Sequence, residues 1–216
     1  MIVPMVCFLA FADQQAVGQK WQYDVMWHFS NKELNLTDEE SLEVEVTKVR
    51  SDSTTIKVSQ KLVASIFDGQ RVPTDPKAVP SAHEWALSPT GSVAFMPVAR
   101  FGLESRVYRI LKGILPEPKG DPSRSTAWEI MFAEDGQGMP EGKLKAAFVD
   151  STKEGTNFKV RYREDGGTTG LGKFTRKEKM PFPSQLEMHF TNTRMSGGTD
   201  VVDCDFSMTL KPKKPA

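Results

Sequence analysis

Residues 21–29 have the sequence WQYDVMWHF, in which bulky apolar side chains alternate with mostly polar ones. Successive side chains of a β-strand point to opposite faces, so this period of two predicts a strand with one buried face. The face expected to be buried carries Trp21, Tyr23, Val25, Trp27 and Phe29.

The same alternation recurs along most of the chain. The segments 42–46 and 54–58 alternate on either side of Ser51-Asp52-Ser53, which is typical of a β-hairpin. Short alternating segments separated by polar turns are typical of an antiparallel sheet. Further segments of this kind begin near Trp85, Trp128, Leu144, Phe158, Leu186 and Val202.

One segment has a helical period instead. Its apolar residues recur three or four positions apart, which predicts an amphipathic helix that covers one face of the sheet. The proline-rich segment 115–122 should end this helix. We also expect two long loops, 68–80 and 165–173. The apolar helix positions are Leu103, Val107, Ile110, Leu111 and Ile114.

These patterns predict a mainly β protein, built as a curved antiparallel sheet with one amphipathic helix. The sheet forms either a half-barrel or two packed sheets. Residues 13–216 are expected to form one domain. The segments beginning at Trp21 and Trp128 also resemble each other, which favours a duplicated β-meander with halves 13–120 and 121–216. The alternative is the general similarity of alternating strands.

Composition excludes several classes of protein. The chain has 216 residues, with 28 Lys plus Arg and 28 Asp plus Glu, so its formal net charge is +0. A chain without a net positive field is a poor partner for nucleic acid. Two cysteines are too few for a disulfide-built scaffold, whereas 38% hydrophobic residues are enough for a packed core.

The N-terminal segment 1–12 is apolar, uncharged and ends in Ala10-Phe11-Ala12. Small residues at these spacings are typical of a signal-peptide cleavage site, so we expect residues 1–12 to be a signal peptide and the protein to be exported to the periplasm or beyond. The apolar run is too short to cross a bilayer, and we expect no transmembrane segment.

The motifs that suggest chemistry each fail at a required position. Residues 167–174 match a phosphate-binding loop up to Lys173, but Phe174 replaces the Ser or Thr that ligates Mg²⁺. His83-Glu84 begins a zinc-protease motif, but Leu87 replaces its second histidine. Cys204 alternates with apolar neighbours, which indicates a buried thiol. We therefore expect no catalytic residue, no metal site and no cofactor.

The aromatic stripe of the first strand and the apolar face of the helix together form the candidate ligand-binding site. Such a stripe packs a core in most β proteins, but it lines an apolar cavity where the sheet is curved and only partly covered. The candidate residues are Trp21, Tyr23, Trp27, Phe29, Leu103, Val107, Ile110, Leu111 and Ile114.

Three short segments resemble a pattern shared by uncharacterised exported bacterial β-rich domains. They are Gly18–Tyr23, Trp85–Gly91 and Arg109–Leu111 leading to Leu115-Pro116. The overall layout is also similar to periplasmic lipoprotein-carrier folds, in which a helix plugs a curved antiparallel sheet around an apolar cavity. The resemblance implies export and this shape, and it transfers no binding residue.

Three functions remain open at this level. The first is a non-catalytic exported module that binds an apolar small molecule, a lipid or a cell-envelope protein. The second is a structural or interaction domain with a solid core and no ligand. The third is a hydrolase that uses carboxylates such as Asp24, Glu43 and Glu84, because paired acids assemble in space and leave no sequence motif.

Overall fold

The alternating segment at the start of the chain forms a strand, β1 (Lys20–Ser30), as its period predicts. Tyr23, Val25, Trp27 and Phe29 are buried on one face of β1, and Trp21 is partly buried. The polar residues between them face outward. The computed structural model describes residues 15–75, 77, 79–95, 102–116, 122–134, 139–178, 180–194 and 201–212.

Eleven further strands and one helix follow β1 in the described part of the chain. Most of the strands carry the alternation seen in the sequence, and these strands extend beyond the alternating residues that predicted them. In chain order they are β2 (Asn35–Val49), β3 (Thr54–Phe67), β4 (Gln70–Pro73), β5 (Ser81–Leu87), β6 (Val93–Phe95), α1 (Gly102–Ile114), β7 (Ala127–Phe132), β8 (Gly142–Thr152), β9 (Gly155–Glu164), β10 (Thr169–Arg176), β11 (Gln185–Arg194) and β12 (Val201–Leu210).

The strands form a single antiparallel sheet in the order β6-β5-β3-β2-β1-β12-β11-β10-β9-β8-β7, with β4 paired to β3. First and last strands therefore meet at the centre, where Trp27 lies opposite Phe206. The sheet is not closed, and α1 follows β6 and precedes β7, the two ends of the strand order. The predicted mainly β fold, an antiparallel sheet with one helix, is confirmed.

Helix α1 lies against the inner face of the sheet and contacts strands near both ends of the strand order. We call these two parts of the sheet the β1–β6 arm and the β7–β10 arm. Tyr108 packs edge-on against Trp85 of β5, with 5.2 Å between ring centroids. At the other arm, Gly113 faces the Leu144 side chain, where an added Cβ would lie only 3.1 Å from Leu144 Cδ1. One helix can reach both arms only because the sheet curves around it.

A buried ion pair fixes the helix to the β7–β10 arm. Arg106 Nε and Nη2 donate to the two carboxylate oxygens of Glu164 on β9, at 2.8 and 2.9 Å. Tyr162 donates its hydroxyl to the same carboxylate at 2.8 Å. Burial raises the pKa of Tyr162, so the phenol stays protonated and acts as a donor. The Glu164 side chain is 1% exposed.

Two further arginines hold the helix on the same side. Arg109 donates to the carbonyl oxygens of Pro140 at 2.6 Å and Ala133 at 3.1 Å, in the segment after β7. Arg176 on β10 donates to the Leu115 carbonyl at 2.8 Å and the Pro116 carbonyl at 3.2 Å. A cation at the C-terminus of a helix satisfies its last carbonyls and complements its dipole.

The glycine-rich segment differs from the expected long loop. Strand β10 begins at Thr169, so only residues 165–168 connect it to β9. Gly170 and Gly172 lie within strand β10. Glycine suits both positions because β11 occupies the space that a side chain would need. A Cβ at Gly172 would lie 2.1 Å from the Glu187 carbonyl oxygen, and one at Gly170 would lie 2.9 Å from Phe190 Cδ1. The expected loop 68–80 is also shorter, because β4 forms inside it.

Two sequence expectations fall outside the described residues. They are the signal peptide at 1–12, which contains Cys7, and the position of the Leu103 side chain. The duplication of halves 13–120 and 121–216 stays a prediction; β1 lies at the centre of the sheet and β7 at its edge. No helix in the described ranges is both long and apolar enough to cross a membrane.

The buried ion pair gives a stability prediction. Glu164→Gln leaves the Arg106 guanidinium buried without a charged partner, and we expect the free energy of unfolding to fall by about 3–5 kcal/mol. Urea denaturation measures this. The double variant Arg106→Met with Glu164→Leu should recover most of the loss, because no buried charge then remains. A loss under about 1 kcal/mol in the single variant would contradict the buried, paired state of Glu164.

Candidate apolar binding site

A small apolar cavity lies between the helix and the wall formed by β1, β2, β3 and β12. Its volume is about 30 Å³, far below the roughly 300 Å³ or more of an ordinary ligand pocket. We call this contact between helix and wall the seam. The lining residues are Val25, Trp27, Leu42, Val58, Gln60, Val107, Tyr108, Leu111, Phe182, Phe206 and Met208.

The structure brings part of the predicted site together. Trp27, Val107 and Leu111 line the cavity and also belong to the hydrophobic core. Tyr23, Phe29, Ile110 and Ile114 belong to that core without lining the cavity, and Trp21 packs against it. The first three side chains thus contribute to both the core and the cavity wall.

Sequence reasoning missed most of the other lining residues. The period of two could have identified four of them, because they occupy inward positions of alternating strands. These four are Val25, Leu42, Val58 and Met208. Phe182 had no such signal because it lies in the segment between β10 and β11, flanked by two prolines.

Trp27 connects the cavity to a partly buried polar edge formed by Glu40 and Gln60. Its ring packs 4.5 Å from the Phe206 ring and 6.1 Å from the Phe29 ring, between centroids. Its indole Nε1 donates to Glu40 at 3.1 Å, and Gln60 donates to the same carboxylate. These bonds fix the orientation of the indole and of Gln60, and so give the apolar cavity one polar edge.

Phe182 fills the inner space below the cavity. Its ring is 2% exposed and lies 5.1 Å from the Trp85 ring and 6.4 Å from the Tyr23 ring, between centroids. Trp85 belongs to β5, while Phe182 follows β10, so this aromatic contact spans the interior of the curved sheet. Phe182, in the connection between β10 and β11, therefore fills the space between the two arms.

The two sides of the helix are held differently. The Arg106, Arg109 and Arg176 hydrogen bonds described above connect α1 and its C-terminal end to the β7–β10 arm. Toward β1–β3, the helix presents Val107, Tyr108 and Leu111 to the cavity. Apolar contacts are non-directional, so the seam can widen at lower cost than the arginine-anchored side.

Two of the three histidines, His28 and His189, lie on the outer face of the sheet. His28 on β1 and His189 on β11 are the cross-strand neighbours of Asp205 on β12. His189 Nδ1 lies 2.7 Å from Asp205 Oδ1, and His28 Nδ1 lies 2.9 Å from Thr37 Oγ1. Within the described residues no group of three or more His, Cys, Asp or Glu side chains is arranged to hold a metal ion.

The carboxylates considered for hydrolysis also lie on the outer face. Asp24 pairs with Lys211 at 2.8 Å. Lys20 donates to Glu43, and this bond lowers the pKa of the Glu43 carboxyl. Glu84 is exposed on β5, opposite Lys57. Asp24 and Glu43 are therefore each paired with a surface lysine.

Comparisons with known proteins add little. No protein-family model matches the chain, and no curated protein gives a significant match. The chain is similar to a solved structure, the hypothetical protein CT021 from Chlamydia trachomatis at 2.0 Å resolution. That alignment has 12% sequence identity, covers 96% of each chain and has a TM-score of 0.24. A likeness at this level supports no statement about function.

The cavity can be tested by enlarging it. Leu111→Ala removes three carbon atoms beside the existing void, and we expect a loss of stability of about 2–5 kcal/mol. Benzene should then bind in the enlarged cavity and raise the Tm. The matched control is Leu144→Ala, at a fully buried leucine that does not line this cavity. Equal benzene-induced shifts of Tm in both variants would contradict a cavity at the seam.

Cys204 gives an independent test of the inner face. Burial, with a smaller contribution from Asp205, raises the pKa of this thiol to about 12. In a Cys7→Ser chain we therefore expect dithionitrobenzoate at about pH 8 to label Cys204 only as fast as the protein unfolds, because the thiolate is the reactive form. Rapid labelling of the native protein would show that β12 does not bury this side chain.

Proposed function

We propose that the protein is an exported, non-catalytic binding module that holds an apolar small molecule or lipid at the seam. The observation that carries this proposal is the apolar cavity between α1 and β1–β3. Ligand sites are concave and mostly apolar, with a few polar groups that fix orientation, and the Trp27–Glu40–Gln60 edge supplies such groups. Export rests on the signal-peptide pattern of residues 1–12.

The cavity of about 30 Å³ is too small for a lipid chain as it stands. Binding therefore requires the seam to widen by movement of Val107, Tyr108 and Leu111 away from the wall. The buried arginine contacts on the other side would keep the helix attached to β7–β10 during that movement. An apolar ligand would replace the contacts that the two surfaces lose.

One observation favours the alternative, a structural or interaction domain with a solid core. The cavity is small and is surrounded by fully buried side chains such as Tyr23, Ile110 and Ile114. A cell-envelope protein would then bind an outer surface rather than the seam. The two functions differ in whether the protein retains a small molecule.

Native mass spectrometry of protein recovered from its own compartment tests the proposal. We expect a discrete excess mass that disappears on denaturation, and a mature N-terminus at Asp13. Protein without excess mass would favour the structural alternative. Detection of intact Met1 on the recovered chain would contradict export, independently of the ligand.

A filling variant tests where the ligand binds. Val107→Phe adds side-chain volume inside the cavity and should abolish the excess mass, at a cost in stability of about 1–3 kcal/mol. The matched control, Val149→Phe, makes the same replacement on β8 at a side chain that is 50% exposed. Circular dichroism verifies that both variants fold. Retention of the ligand by Val107→Phe would place its site elsewhere.

A further inference from the structure

Two buried hydrogen-bond donors lie close to the seam without a partner. The Tyr23 hydroxyl and the Trp85 indole Nε1 form no hydrogen bond to any part of the chain that the structure describes. Tyr23 is 0% exposed and Trp85 is 1% exposed. Native proteins satisfy most buried polar groups, so two orphan donors on one inner face need an explanation.

The two rings that carry these donors both contact one other side chain, Phe182. The Phe182 ring contacts the Tyr23 and Trp85 rings, and it also lines the cavity. Phe182 is carried by the connection between β10 and β11 rather than by a strand. Displacing this one ring would extend the cavity toward both donors.

The chemistry of the donors defines their complement. The Trp85 indole can only donate, and burial raises the pKa of Tyr23, so its phenol also stays protonated. Their natural partner is an acceptor oxygen. A carboxylate would be costly to bury beside two neutral donors, whereas a neutral carbonyl carries two acceptor lone pairs and a much smaller desolvation cost.

We propose that Tyr23 and Trp85 recognise a neutral carbonyl oxygen on the apolar ligand, which displaces Phe182 and accepts hydrogen bonds from both side chains. This inference rests on the proposed function, because it assigns a polar subsite to the ligand of the seam. The ligand class is then an apolar chain that carries a ketone, ester or amide carbonyl.

Two probes of equal size test the subsite. Tetradecane and 2-tridecanone have the same number of non-hydrogen atoms, but only the ketone has an acceptor. The ketone is less hydrophobic, so its affinity relative to tetradecane is compared with the ratio of the two probes' partition coefficients from water into alkane. We expect the full chain to exceed that ratio at least about fivefold, as one or two hydrogen bonds allow, and we call this excess the ketone preference. With ¹³C at the carbonyl, isotope-edited infrared spectra should place the bound carbonyl band at lower frequency than in alkane solvent.

Removing a donor should separate affinity from stability. Tyr23→Phe should abolish most of the preference for the ketone, move the infrared band toward its alkane-solvent position and leave tetradecane binding unchanged. The same variant should leave the stability of the ligand-free protein unchanged or raise it, because an unsatisfied buried hydroxyl is removed. Trp85→Phe provides a second variant that removes the other donor.

The control is another buried hydroxyl. Thr193 also lacks a partner among the described residues, but it lies near the end of β11 (Gln185–Arg194) that is far from Phe182, which precedes that strand. Thr193→Val should therefore leave the ketone preference and the infrared band unchanged.

The outcomes distinguish a failure of the carbonyl subsite from a failure of the proposed function. If the ketone preference is absent and the bound carbonyl band matches alkane solvent, the carbonyl subsite is wrong while the apolar site stands. If neither probe binds, the proposed function fails and the subsite fails with it. A ketone preference that survives both Tyr23→Phe and Trp85→Phe would overturn the assignment of these residues.

Discussion

The ion pair between Arg106 and Glu164 determines where the helix lies, and the interior is organised around that position. Burying two charges is costly unless each is hydrogen-bonded, and here the guanidinium contacts both carboxylate oxygens while Tyr162 donates to one of them. Any large shift of α1 relative to β9 would leave a buried charge alone. The β7–β10 arm therefore behaves as a fixed support, and the weaker apolar seam faces β1–β3. A binding module needs this combination of a rigid anchor and a contact that can open.

The elements of the fold follow closely from local patterns. The alternation in β1 predicts both the strand and its buried face, because each inward side chain of β1 is bulky and apolar. The helical spacing from Leu103 to Ile114 lies within one residue of the observed α1. The prediction of a loop at the glycine-rich segment was wrong. Gly170 and Gly172 have glycine because β11 lies too close for a side chain, and not because the chain turns there. Such a constraint depends on strand register, which a local pattern does not contain.

The candidate site could be predicted only in part. Trp27, Val107 and Leu111 have periodic signals that place them on inner faces, but those signals are the same for core and cavity residues. The partners that position the site are distant in sequence, since Arg106 and Glu164 are 58 residues apart. Phe182 contacts β1 and β5 from a connection without periodicity. Long-range pairing and loop insertion thus decide which apolar positions line the seam.

The proposed function requires α1 to move with the β7–β10 arm while the seam widens. Pulsed electron spin resonance tests it with two spin-label pairs in a Cys7→Ser chain, Lys112→Cys with Lys57→Cys on β3, and Lys112→Cys with Lys145→Cys on β8. All three lysines are exposed. On addition of tetradecane, we expect the distance from the helix to β3 to lengthen and the distance to β8 to stay constant. A constant distance to β3 with bound tetradecane, or a change in the distance to β8, would contradict the account.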